Sequence, residues 1–155
     1  IADGLCMGCS ITGKLQPTLE QFYNGIEKEL YDGINVNYEK LPDISYLAHQ
    51  GVLMLNAALT TERNKAGSHL HIWEPFMKYL FEEVINDLGV PVIYLGKDAS
   101  KLKRYRGIFC HDFFISHPAS AAYKMQDWDT EGTFSKVNIL LKEMNNYKIN
   151  WLYEN

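Results

Sequence analysis

The stretch V-P-V-I-Y-L at residues 90–95 is followed at once by Gly96. Its apolar residues are continuous rather than alternating, which is typical of a strand buried on both faces of a parallel sheet. G-V-L-M-L-N at residues 51–56 and the segment 109–116 have a similar character. We therefore predict three short buried strands.

Amphipathic helices alternate with these strands. Thr18 is the predicted cap of the first helix, with Gln21 reaching back to it, and Asp32-Gly33 is its predicted end. Residues 72–88, 99–105 and 132–145 predict three further helices. The predicted inward residues are Leu19, Phe22, Ile26 and Leu30 in the first helix, Ile72, Phe76, Leu80, Val84 and Leu88 in the second, and Phe134, Val137, Leu141 and Met144 in the last.

The alternation of strands and helices predicts an α/β fold, a three-layer α/β/α arrangement with a short central parallel sheet. The length of 155 residues is that of one domain, which we expect to span residues 1–155. Ligands bind at the carboxyl edge of such sheets. Asn56 and His117 each follow a predicted strand, so the loops after them are the candidate site.

Composition limits the class of protein. Hydrophobic residues make up 46% of the chain, which argues against disorder. The formal net charge of −4 is not that of a strongly basic nucleic-acid binder, although a local basic strip is compatible with it. No apolar run reaches the length of a membrane span. The odd number of three cysteines gives no disulfide framework and favours a reducing compartment, either the cytoplasm or the nucleus or nucleoid.

Several motifs, in order along nearly the whole chain, carry a resemblance to the family 1 uracil-DNA glycosylases. The matches are Gly4-Leu5-Cys6-Met7, Gln16-Pro17-Thr18-Leu19, Gly51–Asn56 with Leu59-Thr60, Lys65–His69 with Trp73–Phe76, His117–Tyr123, Phe134–Asn138 and Ile149-Asn150-Trp151. Each motif is weak alone. Their common order identifies the chain as a member of this family.

The resemblance implies an enzyme of base-excision repair that needs no cofactor or metal. Such an enzyme flips deoxyuridine out of DNA and hydrolyses its N-glycosidic bond. His117 is then the catalytic residue that donates to uracil O2, and Asn56 and Met7 bind the uracil. Ser68, His69, Ala119, Ser120 and Ala121 are the implied contacts to DNA. Uracil-containing DNA is the expected partner, and we expect a monomer.

The chain departs from the family pattern at its beginning. The motif G-Q-D-P-Y-H, whose aspartate positions the attacking water, is absent from the sequence. Asp3 has neither the spacing nor the Pro-Tyr context of that aspartate. We expect that the domain is incomplete at the N-terminus. The alternative is a catalytically inactive glycosylase-fold protein that binds DNA or associates with a polymerase.

Two further departures concern the DNA and the base. Met7 stands where the family has a phenylalanine that stacks on uracil, which leaves a glycosylase for a modified uracil as a third hypothesis. Ala121 stands where the family has a wedge leucine, and Met125 or Trp128 is the predicted substitute.

Simpler interpretations remain open at this stage. Asn56 fits a turn, and Ser68 and His69 fit the cap of the next helix. Lys101, Lys103 and Arg104 fit a solvated face. Cys6 and Cys9, with Cys110 and His111, have the residue types of a zinc site, but their spacing is weak support for one.

Overall fold

The computed structural model describes residues 4–32, 34 and 37–154. Asp3 and Gly33, for which the sequence raises expectations, lie outside the described residues. The chain divides into two compact units. The first comprises the chain up to Leu55 and from Ile115 onward, and the second comprises Asn56–Phe114. Within the described part, every helix is too short or too polar to cross a membrane.

The first unit is mainly helical. A small antiparallel pair joins β1 at Tyr38–Glu39 to β4 at Tyr153–Glu154, with Tyr38 opposite Glu154 and Glu39 opposite Tyr153. Its elements are a 3-10 turn at Ser10–Thr12, α1 at Pro17–Tyr31, β1 at Tyr38–Glu39, α2 at Ser45–His49, α6 at Pro118–Lys124, α7 at Thr133–Asn145 and β4 at Tyr153–Glu154.

Helix α1 forms the centre of this unit. Pro17 occupies its first turn, where the missing N–H costs nothing. Thr18 lies inside the helix and Gln16 is the residue that precedes it, so the predicted Thr18 cap is wrong. The predicted inward residues Leu19, Phe22 and Ile26 are buried.

Aromatic rings pack closely around α1. The ring of Phe22 stacks on Trp128 at a centroid distance of 5.9 Å and meets Phe134 edge-on at 5.6 Å. Phe134 in turn meets Trp151 at 4.8 Å. A β-carbon on Gly25 would lie 2.7 Å from the Trp128 ring, so only glycine permits this approach. The cluster confirms Phe134 as an inward residue of α7, whereas Met144 is exposed and its prediction is wrong.

The second unit contains a long helical segment and a small parallel sheet formed by β2 and β3. The backbone N–H of Val92 donates to His111 O at 2.9 Å beside this sheet. The elements are α3 at Leu70–Tyr79, a π-helical segment at Leu80–Ile85, α4 at Asn86–Leu88, β2 at Val92–Leu95, α5 at Gly96–Ser100, a 3-10 helix at Lys101–Tyr105 and β3 at Asp112–Ile115.

The inward face of the helical segment 70–88 differs from the prediction. Four of the five residues of the predicted stripe are exposed, namely Ile72, Phe76, Val84 and Leu88. The buried face is instead Met77, Phe81 and Ile85, because Phe81 and Ile85 pack against Tyr94 of β2. The sequence carries two adjacent apolar stripes, and periodicity alone does not choose between them.

Two of the three predicted strands are present in shortened form. Strand β2 begins at Val92, after Pro91, which has no N–H for a ladder hydrogen bond. The prediction of a strand at residues 51–56 is wrong for the described part of the chain, where Gly51 lies in a turn and the residues after it form no ladder. Backbone bonds from Gly51 N to Ala48 O at 2.9 Å, from Val52 N to Leu47 O at 3.1 Å and from Cys6 N to Met54 O at 3.1 Å hold this segment.

A buried charge network ties the second unit together. Asp112 accepts from Arg106 Nε at 3.0 Å, from Lys103 Nζ at 3.2 Å and from the Tyr94 hydroxyl at 3.3 Å. The side chains of Arg106 and Asp112 are only 1% and 3% exposed. Arg106 also donates to Val90 O at 3.0 Å. A buried charge that loses its partner is strongly destabilising, so this pair depends on both members.

We expect Asp112→Ala to lower the free energy of unfolding by about 3–5 kcal/mol, because it leaves Arg106 buried without its counter-charge. Urea unfolding followed by circular dichroism measures this change. The matched control is Asp98→Ala, whose carboxylate pairs with Lys101 at 2.6 Å on an exposed surface. The control should cost less than about 1 kcal/mol. Equal losses in the two variants would contradict the buried role of Asp112.

Candidate active site

The residues predicted for the site are distributed over both units. Met7, His117, Ala119, Ser120 and Ala121 belong to the first unit. Asn56, Ser68 and His69 belong to the second. In the first unit, hydrogen bonds join His117 to Ala119 and Ser120.

His117 caps helix α6. It precedes Pro118 with extended backbone angles, φ −74° and ψ 134°, and its Nδ1 accepts from the backbone N–H of Ala119 at 3.1 Å. Since Nδ1 is an acceptor, the proton of the neutral imidazole lies on Nε2. Burial lowers the pKa of His117 below its ordinary value of 6.5. The side chain is therefore a neutral ring whose free N–H is at Nε2.

The residues after His117 form a helix, although the sequence suggests a loop. The Ser120 hydroxyl donates to His117 O at 2.5 Å, and its lone pairs stay available to a donor. The Ala119 N–H is engaged by His117. Ala121 is only 8% exposed, so little of its side chain is accessible to DNA. Its implied DNA contact stays a prediction.

The segment after α6 corrects the wedge hypothesis. Trp128 is 2% exposed, stacks on Phe22, and donates from Nε1 to Ser116 O at 2.8 Å. A side chain held in the core in this way cannot enter DNA, so the prediction of Trp128 as wedge is wrong. Tyr123 and Met125 are 91% and 94% exposed. Met125 ends α6 in the left-handed region, with φ 52°.

Ser68 and His69 lie in a loop with many side-chain hydrogen bonds. The Ser68 hydroxyl accepts from the backbone N–H of Glu62 at 2.9 Å and lies 3.1 Å from Thr61 Oγ1. His69 Nδ1 lies 2.8 Å from Thr60 Oγ1. The same oxygen accepts a hydrogen bond from Trp73 Nε1 at 2.8 Å. His69 precedes α3 but makes no side-chain cap hydrogen bond, so its capping interpretation is wrong.

Thr60 and Trp73 are residues to which the sequence reasoning gave no role. Both lie in motifs that carry the family resemblance, Leu59-Thr60 and Trp73–Phe76. Thr60 joins the two side chains of Trp73 and His69, and spacing does not predict this because it depends on how the loop between Thr60 and His69 folds.

Asn56 and Met7 differ in their backbone constraints. Asn56 is exposed at the end of the apolar segment 51–56, where its amide is accessible to a ligand. Met7 is half-buried and has φ 67°, a left-handed conformation that residues other than glycine seldom adopt. A turn holds it, with Gly8 N donating to Leu5 O at 3.2 Å. Such strain at a non-glycine residue is often found at functional sites.

The structure also shows the surroundings of the cysteines and of the basic residues in the 3-10 helix Lys101–Tyr105. Burial raises the pKa of Cys6 to about 11, which disfavours the thiolate that a metal needs. The described residues hold no group of three or more His, Cys, Asp or Glu suited to a metal ion. Lys101, Lys103 and Arg104 pair with Asp98, Asp112 and Glu74 respectively.

Comparison with known proteins identifies the family. The uracil-DNA glycosylase of Streptococcus pneumoniae serotype 19F (strain G54) is 35% identical over 156 residues, which cover 97% of this chain and 68% of the relative. The chain belongs to the uracil-DNA glycosylase family. The same enzyme name belongs to the relative from strain Hungary19A-6, which has the same identity and coverage. No family model matches the chain.

Solved uracil-DNA glycosylases share the fold. The crystal structure of mimivirus uracil-DNA glycosylase has a TM-score of 0.75 and 23% identity, and the match covers 97% of this chain and 60% of that chain. The chain thus spans about two thirds of its curated relatives and three fifths of the mimivirus protein. The predicted uracil-DNA glycosylase-like α/β fold is confirmed, while its assignment to family 1 stays a prediction.

The partly buried position of His117 predicts a pKa below the ordinary value for histidine. We expect an NMR pH titration of its ring to have a midpoint below 6.5, because burial penalises the imidazolium. The ring then becomes charged at a lower pH than a free imidazole does. A short peptide containing this histidine, with an ordinary pKa of about 6.5, is the reference. A midpoint at or above that of the peptide would contradict the assignment.

Proposed function

We propose that this chain forms the uracil-reading part of a uracil-DNA glycosylase, which flips deoxyuridine out of DNA and releases uracil in base-excision repair. The observation that carries the proposal is the geometry of His117. Its neutral ring is fixed at Nδ1 by the Ala119 N–H, so that Nε2–H is a permanent donor. Membership of the family supplies the reaction to which such a donor contributes.

The proposed reaction is a hydrolysis. The bond between uracil N1 and the sugar C1′ breaks, and its electron pair leaves with the uracil, where the charge spreads to O2. Water oxygen forms the new bond to C1′, and its proton is lost to a base that we do not assign to a residue of this chain. His117 Nε2–H donates to the charged O2. A fixed donor at a point of developing charge stabilises the transition state more than the ground state.

Asn56 is the proposed reader of the base. Its amide carries an acceptor and a donor side by side, which matches the N3–H and O4 of uracil. Cytosine has the opposite pattern on this edge and is rejected, because the buried polar groups would stay unpaired. Its side chain is exposed, so a base can reach the amide. Met7 is the proposed apolar contact to the face of the base.

Ser68, His69 and Ser120 are the proposed contacts to the DNA backbone. Hydroxyl and imidazole N–H groups donate to a phosphate without reading sequence. Ser120 does so by turning its proton away from His117 O. The Thr61 hydroxyl gives its one proton to Lys65 O, so the Ser68 hydroxyl donates to Thr61 and binds a phosphate oxygen by turning its proton away from Thr61. With a net charge of −4, the protein should depend on a few such placed contacts more than on general attraction.

We extend the proposal to the single-domain organisation, the monomeric state and the reducing compartment. The three cysteines are free thiols, which supports a reducing compartment. The proposed partner is DNA that contains uracil.

Uracil release from a uracil-containing oligonucleotide tests the proposal, with the protein at its natural length. We expect Asn56→Ala to abolish release and His117→Ala to lower kcat by about 10²–10³-fold, since each removes a donor used in the transition state. Asn145→Ala, which changes an exposed asparagine at the end of α7, should leave release unchanged.

The alternative functions have distinct outcomes in the same assay. Binding of uracil-containing DNA without release of base would refute the enzyme and support a binding protein. Faster release of a 5-substituted uracil than of uracil would support the modified-base hypothesis. The names of the curated relatives favour uracil excision over both.

Met125 is the proposed wedge, since Trp128 is buried and Met125 is exposed at the end of the helix that His117 begins. We expect Met125→Ala to slow uracil release from duplex DNA by about tenfold, because one apolar side chain of this size contributes on the order of 1.5 kcal/mol. Release from single-stranded DNA should not change, since no hole in a base stack has to be filled. Met144→Ala, at another exposed methionine, is the control. An equal effect on both substrates would argue against the wedge role.

A further inference from the structure

Three side chains of the second unit form a chain of hydrogen bonds that ends at His69. Trp73 Nε1 donates to Thr60 Oγ1 at 2.8 Å, and the same oxygen lies 2.8 Å from His69 Nδ1. Trp73 belongs to α3 and its ring meets Phe76 edge-on at 5.8 Å, which limits its rotation. Thr60 is β-branched and therefore restricted at χ1. The direction of the hydroxyl is thus set by its surroundings.

The protons available on these three side chains decide which atom donates in the hydrogen bond between Thr60 and His69. An indole nitrogen only donates, and a threonine hydroxyl has one proton and two lone pairs. If the hydroxyl donates to His69 Nδ1, the indole proton, the hydroxyl proton and the ring lone pair are all used. If Nδ1–H donates instead, two donors point at one oxygen and the hydroxyl proton is left to solvent. The first arrangement satisfies more groups and gives a continuous chain of bonds.

We propose that Thr60 and Trp73 are positioning residues that hold the neutral imidazole of His69 in the tautomer with its proton on Nε2. The inference rests on the proposed function, in which His69 contacts a DNA phosphate. A phosphate oxygen only accepts hydrogen bonds, so the tautomer that presents Nε2–H is the one that can bind it. Fixing the tautomer before DNA arrives removes part of the ordering cost of binding.

Ser68 is held by a separate set of bonds, which supplies an internal comparison. Its hydroxyl accepts from Glu62 N–H and contacts Thr61, and Thr61 in turn donates to Lys65 O at 2.6 Å. Thr60 takes no part in these bonds. Removal of the Thr60 hydroxyl should therefore affect His69 and leave the Ser68 side of the loop intact.

Nitrogen NMR of the imidazole rings tests the tautomer directly, at about pH 8 where free imidazole is neutral. In the unmodified protein we expect one His69 species, with Nε2 protonated and Nδ1 shifted as a hydrogen-bond acceptor. Thr60→Val should remove that shift and give a mixture of tautomers, while Thr60→Ser should restore the original spectrum. Thr61→Val, in the same loop, and the ring signals of His71 are the controls and should not change.

Two outcomes would overturn the proposal. One is a His69 ring protonated at Nδ1 in the unmodified protein. The other is a spectrum that Thr60→Val does not alter. Trp73→Phe removes the indole donor and should allow the hydroxyl to accept from Nδ1–H, which produces a mixture. An unchanged spectrum in that variant would remove Trp73 from the proposal and retain Thr60.

Affinity for an undamaged DNA duplex separates this inference from the proposed function, because a phosphate contact does not need uracil. We expect Thr60→Val and His69→Ala each to weaken binding by about fivefold, the equivalent of one hydrogen bond, and Thr60→Ser to restore it. If His69→Ala leaves affinity unchanged while the Thr60→Val spectrum shifts, the phosphate role of His69 fails and the tautomer assignment stands. If His69→Ala weakens binding and the spectrum does not shift, the tautomer assignment fails and the phosphate contact stands.

Discussion

The buried ion pair between Arg106 and Asp112 is the constraint on which the second unit depends. Arg106 reaches the carbonyl of Val90 as well as Asp112, so one guanidinium joins the entry to β2 with the start of β3. Both side chains are withdrawn from water, and neither could be there without the other. Strand β3 then ends at the buried Ile115, two residues before His117. The ion pair therefore fixes the start of β3 within the second unit.

His117 and His69 each make a hydrogen bond through ring atom Nδ1, but the partner groups differ. His117 Nδ1 meets a backbone N–H, which cannot change direction, and its ring lies partly buried after a proline-started helix. His69 Nδ1 meets a hydroxyl, whose direction depends on a neighbouring indole. In each arrangement Nδ1 is engaged by a neighbouring group, and the proposed ligand contact is assigned to Nε2.

The sequence predicted the α/β fold and the family, but it suggested a loop after His117 where the structure has helix α6. It did not predict which of two apolar stripes of residues 70–88 is buried, because Phe81 and Ile85 are selected by contact with Tyr94, which is distant in sequence. Trp128 and Ala121 show the same limit, since their burial depends on packing around α1. The hydrogen bonds of His117 and His69 also depend on loop geometry. Residue type predicted that these side chains can donate or accept hydrogen bonds. The structure shows which of their atoms already do so.

The burial of Ala121 has a consequence for how this protein can evolve. Helix α6 packs on α1, and Ala121 lies on a covered face of α6. A change of this alanine to a bulky apolar residue would insert several methylene groups into a packed contact, at a cost of about 1–3 kcal/mol. A long side chain is therefore tolerated better at exposed positions such as Tyr123 and Met125 than at Ala121. Evolution can change the residues at the end of α6 without loss of stability, whereas packing against α1 keeps the residue at its centre small.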